Sequence, residues 1–154
     1  MIRQGKYLVW FVVVAAGLLT ATKANAQVPG ERPADEPTQI RWTTADQAFG
    51  LQERTGQPVL FYVSSANCGH CRRMERETLA NGNVIRGITQ GYIPVRLTAE
   101  RDADLIRRLG IDGFPTIVVI GQDHRQAGKL TGFRSADRVL DDLRTIESKI
   151  TSRR

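Results

Sequence analysis

The only two cysteines of the chain, Cys68 and Cys71, stand three positions apart with Gly69 and His70 between them, inside SSANCGHCRRMERET. Three chemistries use such a pair: a structural cross-link, part of a metal clip, or a reversible dithiol–disulfide switch. On the first turn of a helix, positions i and i+3 lie near the roughly 4.4–6.8 Å between Cα atoms that a disulfide spans, so the pair can close. As a cross-link it is poor, because the stabilisation grows with the loop enclosed, and this loop holds only Gly69 and His70. As a zinc site it is incomplete: four protein ligands are the norm, and beyond the two thiolates the chain offers only His70 and His124. Covalent haem attachment needs a histidine directly after the second cysteine, where Arg72 stands. The switch has a mechanism. A cysteine between a strand end and a helix start faces unpaired backbone N–H groups, which favour its thiolate. A protonated His70, with Arg72 and Arg73 nearby, adds to that effect. Cys68 then reads as the attacking thiol and Cys71, one turn inside the helix, as the resolving thiol.

A second stretch bears on the same chemistry. GIDGFPT, Gly110 to Thr116, puts Pro115 at the start of a strand. A cis peptide there makes a tight bend and leaves neighbouring backbone groups free to pair with an extended substrate. His124, in a turn, is assigned no role.

The elements that position these residues follow from periodicity. Thr44 and Gln47 form a T-x-x-Q capping box that opens a short helix to Arg54, ended by Gly56 and Pro58. PVLFYVS, 58–64, is a continuous apolar run of strand length, suited to a strand buried on both faces. Helical residues run from Cys68 to about Leu79 and resume after Asn81-Gly82-Asn83, giving a bent or two-part helix. YIPVRLT, 92–98, is a second strand with Pro94 near its start. DADLIRRLG, 102–110, is a short helix stopped by Gly110. Strands at about 116–120 and 126–132 form a hairpin, and Ser135 caps a last helix with Val139, Leu143, Ile146 and Ile150 on one face. After the first helix the order is β-α-β-α-β-β-α, an α/β fold: one mixed sheet with helices on both faces.

Cys68-Gly69-His70-Cys71 after the strand VLFYVSS, Phe114-Pro115-Thr116 in GIDGFPT and Gly132 closing the hairpin together resemble the thioredoxin superfamily over about residues 40–151. The likeness is nearest to exported bacterial thioredoxin-like proteins. It implies a thioredoxin-like fold and a thiol–disulfide oxidoreductase with Cys68–Cys71 as its redox-active disulfide. In that reading Cys68 is the nucleophile, Cys71 resolves the mixed disulfide, and Gly69 and His70 tune the thiolate. Phe114, a cis Pro115 and Thr116 contact the substrate. Two positions depart from the family pattern. Asn67 stands where a tryptophan precedes the first cysteine, and Tyr62 where a buried aspartate helps deprotonate the resolving cysteine. A tyrosine, with an ordinary pKa of about 10, is a poor base. The Gly-His pair resembles that of protein disulfide isomerases and implies a couple more oxidising than thioredoxin's, at about −270 mV.

The chain start sets the expected compartment. Arg3 and Lys6, the apolar run LVWFVVVAAGLL and Ala24-Asn25-Ala26 form a signal peptide over residues 1–26, which places the mature protein outside the cytoplasm, in the periplasm, from Gln27. An uncleaved membrane anchor is the alternative, although a spanning helix needs about 20 apolar residues. The proline-rich stretch 27–39 reads as a disordered tether, 40–151 as the domain and 152–154 as a tail. The formal charge of +6, from 22 basic and 16 acidic residues, falls to +3 once Arg3, Lys6 and Lys23 are removed. The remaining charges are interspersed, which gives no nucleic-acid surface. No motif signals an organic cofactor or a resident metal. The expected partners are cysteine-containing exported client proteins and a redox partner that resets the dithiol. The competing class is a copper or zinc chaperone or a peptide-binding module on the same domain, against which stands the lack of further soft ligands.

Overall fold

The computed structural model describes residues 36–153. Residues 1–26, expected to be a signal peptide, and residues 27–35 of the expected tether lie outside the described residues. Among the described residues nine elements follow one another: α1 (Ala45–Thr55), β1 (Val59–Ser64), α2 (Gly69–Glu77), α3 (Gly82–Gly91), β2 (Ile93–Thr98), α4 (Ala103–Arg108), β3 (Thr116–Ile120), β4 (Gln126–Thr131) and α5 (Ala136–Thr151). The strands form one mixed sheet in the order β2-β1-β3-β4. β1 runs parallel to β2, and the α2–α3 crossover makes that possible. β3 lies antiparallel to β1, with Val63 opposite Thr116, and antiparallel to β4.

All six residues of β1 are buried, as its unbroken apolar run requires for a central strand. Strand alternation divides them between two cores. Leu60 and Tyr62 join Met74 of α2, Val84, Ile85 and Ile88 of α3, and Val139, Leu143 and Ile146 of α5. Val59, Phe61 and Val63 join Ala48 of α1 and Ile106 of α4 on the opposite face. Asn81 separates α2 from α3 because its side chain accepts from the backbone N–H groups of Asn83 and Val84, capping a new helix. The two-part helix is therefore two helices.

Three local expectations are corrected. Thr44 occupies the N-cap of α1, but its side chain makes no capping bond. Gln47 is engaged instead by Thr43, whose Oγ1 donates to Oε1 at 3.0 Å. Ser135 likewise caps α5 by position and not by its hydroxyl. Both residues are exposed, where water can satisfy the first-turn N–H groups. The sheet also extends one residue further than the apolar runs showed: Thr43 bridges Val95 in parallel, and its N–H donates to Pro94 O at 2.8 Å. That bond anchors Ile40 and Trp42 against the α2–α3–α5 core. The end of the tether follows the same course, with Glu36 ion-paired to Arg86 of α3.

Candidate active site

Cys68 and Cys71 form a disulfide with their Cα atoms 5.2 Å apart. The local chain explains the position. β1 ends at Ser64, the chain turns through Ser65–Asn67, and Cys68 is the N-cap of α2 in extended conformation. Its sulfur accepts the N–H of Cys71 at 3.0 Å, which makes it the capping group of the helix. The two cysteines differ in exposure. Cys68 is half-buried, whereas Cys71 is 2% exposed and packs into the core with Met74. Gly69 and His70, in the first turn, are exposed.

The turn before Cys68 is held from two sides. Glu100, in the β2–α4 loop, accepts the N–H of Ala66 at 2.8 Å, and Arg72 donates to the Ala66 carbonyl at 3.3 Å. The Ala66 N–H holds the Glu100 carboxyl below the usual carboxylate range.

The Phe114–Pro115 peptide is cis. Because Val63 faces Thr116 across the antiparallel β1–β3 pair, Phe114 and Pro115 lie at the end of the sheet from which β1 leads to Cys68. Pro115 O accepts from Gly132 N–H at 2.8 Å, and the Thr116 hydroxyl donates to Gly113 O at 2.8 Å. Among the described residues, the N–H and C=O of Phe114 have no hydrogen-bond partner. Thr116 is 1% exposed, with its hydroxyl taken up by the Gly113 carbonyl. Next to Gly132, Phe133 lies under the Arg73 guanidinium at 4.1 Å, joining α2 to the end of β4.

Sequence reasoning left the Tyr62 position open. Tyr62 is fully buried, and its hydroxyl lies 3.3 Å from both the Cys71 carbonyl and Glu75 Oε1. Arg96 of β2 donates to the same Glu75 oxygen at 2.5 Å. Burial, and then the neighbouring Glu75 carboxylate, push the Tyr62 hydroxyl well above its ordinary range, so it remains protonated. Glu75 was legible only as the residue one helical turn beyond Cys71. Arg96, on another strand, gave no signal.

A disulfide at a helix N-terminus, with one cysteine half-buried and the other fully buried, is an arrangement that can open and close by thiol–disulfide exchange. The chain matches the thioredoxin-like domain family over residues 45–147 and belongs to it. It is 29% identical over 106 residues to protein disulfide-isomerase A3 of Gallus gallus, covering 68% of this chain and 20% of that protein. It is also 29% identical over 79 residues to protein disulfide isomerase-like 5-3 of Oryza sativa subsp. japonica, covering 51% and 18%. The chain thus spans about a fifth of the length of the curated relatives it matches. Among solved structures, a thioredoxin from Thermus thermophilus superposes with a TM-score of 0.66 at 25% identity, over 73% of this chain and 90% of that one.

Proposed function

We propose that this protein exchanges disulfides with cysteines of other exported proteins outside the cytoplasm. The observation that carries the reading is the unequal exposure of the two disulfide-bonded cysteines at the start of α2. In the reduced state the Cys68 thiolate, favoured by the helix N-terminus, attacks one sulfur of a client disulfide. A Cys68–client disulfide forms and the client's other sulfur leaves as a thiolate. The Cys71 thiolate then attacks Cys68, forming the intramolecular disulfide and releasing the second client thiolate. Two electrons pass from the dithiol to the client, and a redox partner that supplies two electrons resets the pair. The reverse sequence oxidises a client dithiol. Phe114 supports docking, since its free N–H and C=O can pair with an extended client strand. His70 tunes the thiolate from its exposed first-turn position.

The export part of the reading rests on residues 1–26, and no helix among the described residues is long and apolar enough to cross a membrane. Two measurements test the proposal. Cys68→Ser abolishes exchange and Cys71→Ser accumulates mixed disulfides with clients; faster alkylation of Cys71 than of Cys68 in the reduced protein reverses the roles. The intact mass of protein recovered from its native compartment begins at Gln27; a membrane-bound chain retaining residues 1–26 shows an anchor instead.

A further inference from the structure

Resolution of a mixed disulfide requires the Cys71 thiol to lose a proton, yet Cys71 is 2% exposed and lies beneath the first turn of α2. Bulk water is a poor acceptor for a thiol so placed. Tyr62 is no substitute, because its hydroxyl stays protonated and lies against two acceptors, the Cys71 carbonyl and Glu75 Oε1. Glu75 is different. It follows Cys71 by four residues on one helix, so the two side chains lie on the same face with Cβ atoms about 5–6 Å apart. The Tyr62 hydroxyl, 3.3 Å from the Cys71 carbonyl and 3.3 Å from Glu75 Oε1, joins the carboxylate to the backbone of the resolving cysteine. Arg96 fixes the same oxygen from β2 at 2.5 Å. Trp42 stacks on Tyr62 with ring centroids 5.9 Å apart and closes the other side of the tyrosine.

The carboxylate also has a way out. A cavity of about 400 Å³ is lined by Glu75 and Arg96 together with Ile40, Trp42, Leu79 and Ile85. The charged or titratable groups against Glu75 are Tyr62 from β1 and Arg96 from β2. Segment 38–42 and α3 bring Ile40, Trp42 and Ile85, which carry no charge. Glu75 therefore reaches the Cys71 backbone through the Tyr62 hydroxyl on one side and lines a solvent-sized opening on the other.

We propose that Glu75 accepts the Cys71 proton during resolution and passes it to solvent through the Trp42-lined cavity, with Tyr62 and Arg96 as positioning residues. The inference rests on the disulfide-exchange reading. In the step, the Cys71 S–H bond breaks and its proton goes to the Glu75 carboxylate, directly or through one water. The sulfur lone pair then forms the Cys68–Cys71 bond, and the Cys68–client bond breaks with its electron pair on the client thiolate. The protonated Glu75 returns its proton to water in the cavity. In the reverse reaction the same group re-protonates Cys71.

The test separates the two chemical steps in the full chain, using a cysteine peptide disulfide with a chromogenic leaving thiol. In a Cys71→Ala background, formation of the mixed disulfide reports attack by Cys68 alone. With Cys71 present, release of the peptide thiol reports resolution. Glu75→Gln is expected to leave attack within about twofold and to slow resolution about a hundredfold, the lower end of general-base contributions. It also converts a pH plateau in the resolution rate into a line rising with hydroxide. Glu75→Asp restores the plateau at a reduced rate. An unchanged rate and profile in folded Glu75→Gln overturns the proposal. So does faster resolution, the sign expected if the carboxylate only repels the Cys71 thiolate. Should Glu75→Gln not fold, Tyr62→Phe decides in the same assay: slower resolution with attack unaltered supports the proposal, and an unaltered rate and profile overturns it. Absence of Cys68 attack in the unmodified chain is the separate failure of the exchange reading.

Discussion

The two faces of the sheet share the same strands and bury different chemistry. The face covered by α1 and α4 buries an apolar cluster that includes Phe61, Val63, Val95, Leu97 and Val118, and at its edge the Gln52 side chain of α1, which donates to the Ile120 and Gly121 carbonyls. The face covered by α2, α3 and α5 buries two tyrosines within its core, Tyr62 and Tyr92, and Thr78 beside it, and these three hydroxyls have partners, whereas the buried Thr89 hydroxyl of α3 has none among the described residues. Tyr62 reaches Cys71 and Glu75, Tyr92 donates to Leu143 O at 3.4 Å, and Thr78 donates to Arg134 O at 2.5 Å. A buried polar atom left without a partner costs about 1–3 kcal/mol, and the apolar cluster around Phe61 offers a titratable group no partner. A face that already holds hydrogen-bonded hydroxyls can place a carboxylate near a buried sulfur. The first face supplies stability, and the second supplies stability and the setting of the disulfide.

The largest effect expected from this division is on the apolar face. Phe61→Ala removes a fully buried ring packed 6.3 Å from Phe49 and is expected to cost about 3–5 kcal/mol in denaturant unfolding. The folded fraction keeps its rate of attack by Cys68. A change in that rate breaks the separation of the faces.

On the other face, Thr78→Val keeps the shape and deletes the donor to Arg134 O, leaving that carbonyl without its partner. The expected loss is about 1–3 kcal/mol. A neutral result means that water reaches the carbonyl and that the hydroxyls of this face are less committed than their geometry indicates.

His70→Pro sharpens the comparison at the exposed end of α2. Proline is tolerated in a first helical turn, so folding is retained while the imidazole is lost. Glutathione equilibration is expected to show a more reducing couple by on the order of 30 mV, equivalent to about 1.4 kcal/mol. An unchanged potential assigns the poise to the helix terminus alone.

The smallest effect concerns Glu100. Its folded pKa lies below the ordinary value because it accepts the Ala66 N–H. Its contribution is therefore complete above the usual carboxylate range and disappears as pH falls through the depressed value. Hydrogen exchange at Ala66 should lose protection over that acid window. Glu100→Gln, which keeps an acceptor oxygen without a titration, should retain protection there; the same acid loss in both proteins assigns it to other groups.

Most of the fold was legible because its signals are local. The apolar run of β1, the Asn81-Gly82-Asn83 interruption, the Gly110 stop and the Val139–Leu143–Ile146 stripe each declare an element within a few residues. Cys68 and Cys71 were legible for the same reason, as adjacent residues at a strand–helix junction. The caps at Thr44 and Ser135 were over-read, because a capping sequence competes with water at an exposed helix end. The partners of Tyr62 were not legible: Arg96 lies on a strand brought alongside by register, Tyr62 opposite Arg96.

By itself the sequence determined the elements, their order and the dithiol chemistry, since hydrophobic period, glycine and proline placement and the spacing of two thiols act over short stretches. Tertiary structure alone decided that β3 runs antiparallel beside β1, that Glu100 clamps the turn before Cys68, and that Glu75 and Arg96 meet under Tyr62. Those contacts depend on sheet register and on which helix face meets which strand, and a side chain's partner across that packing leaves no trace in its own neighbours along the chain.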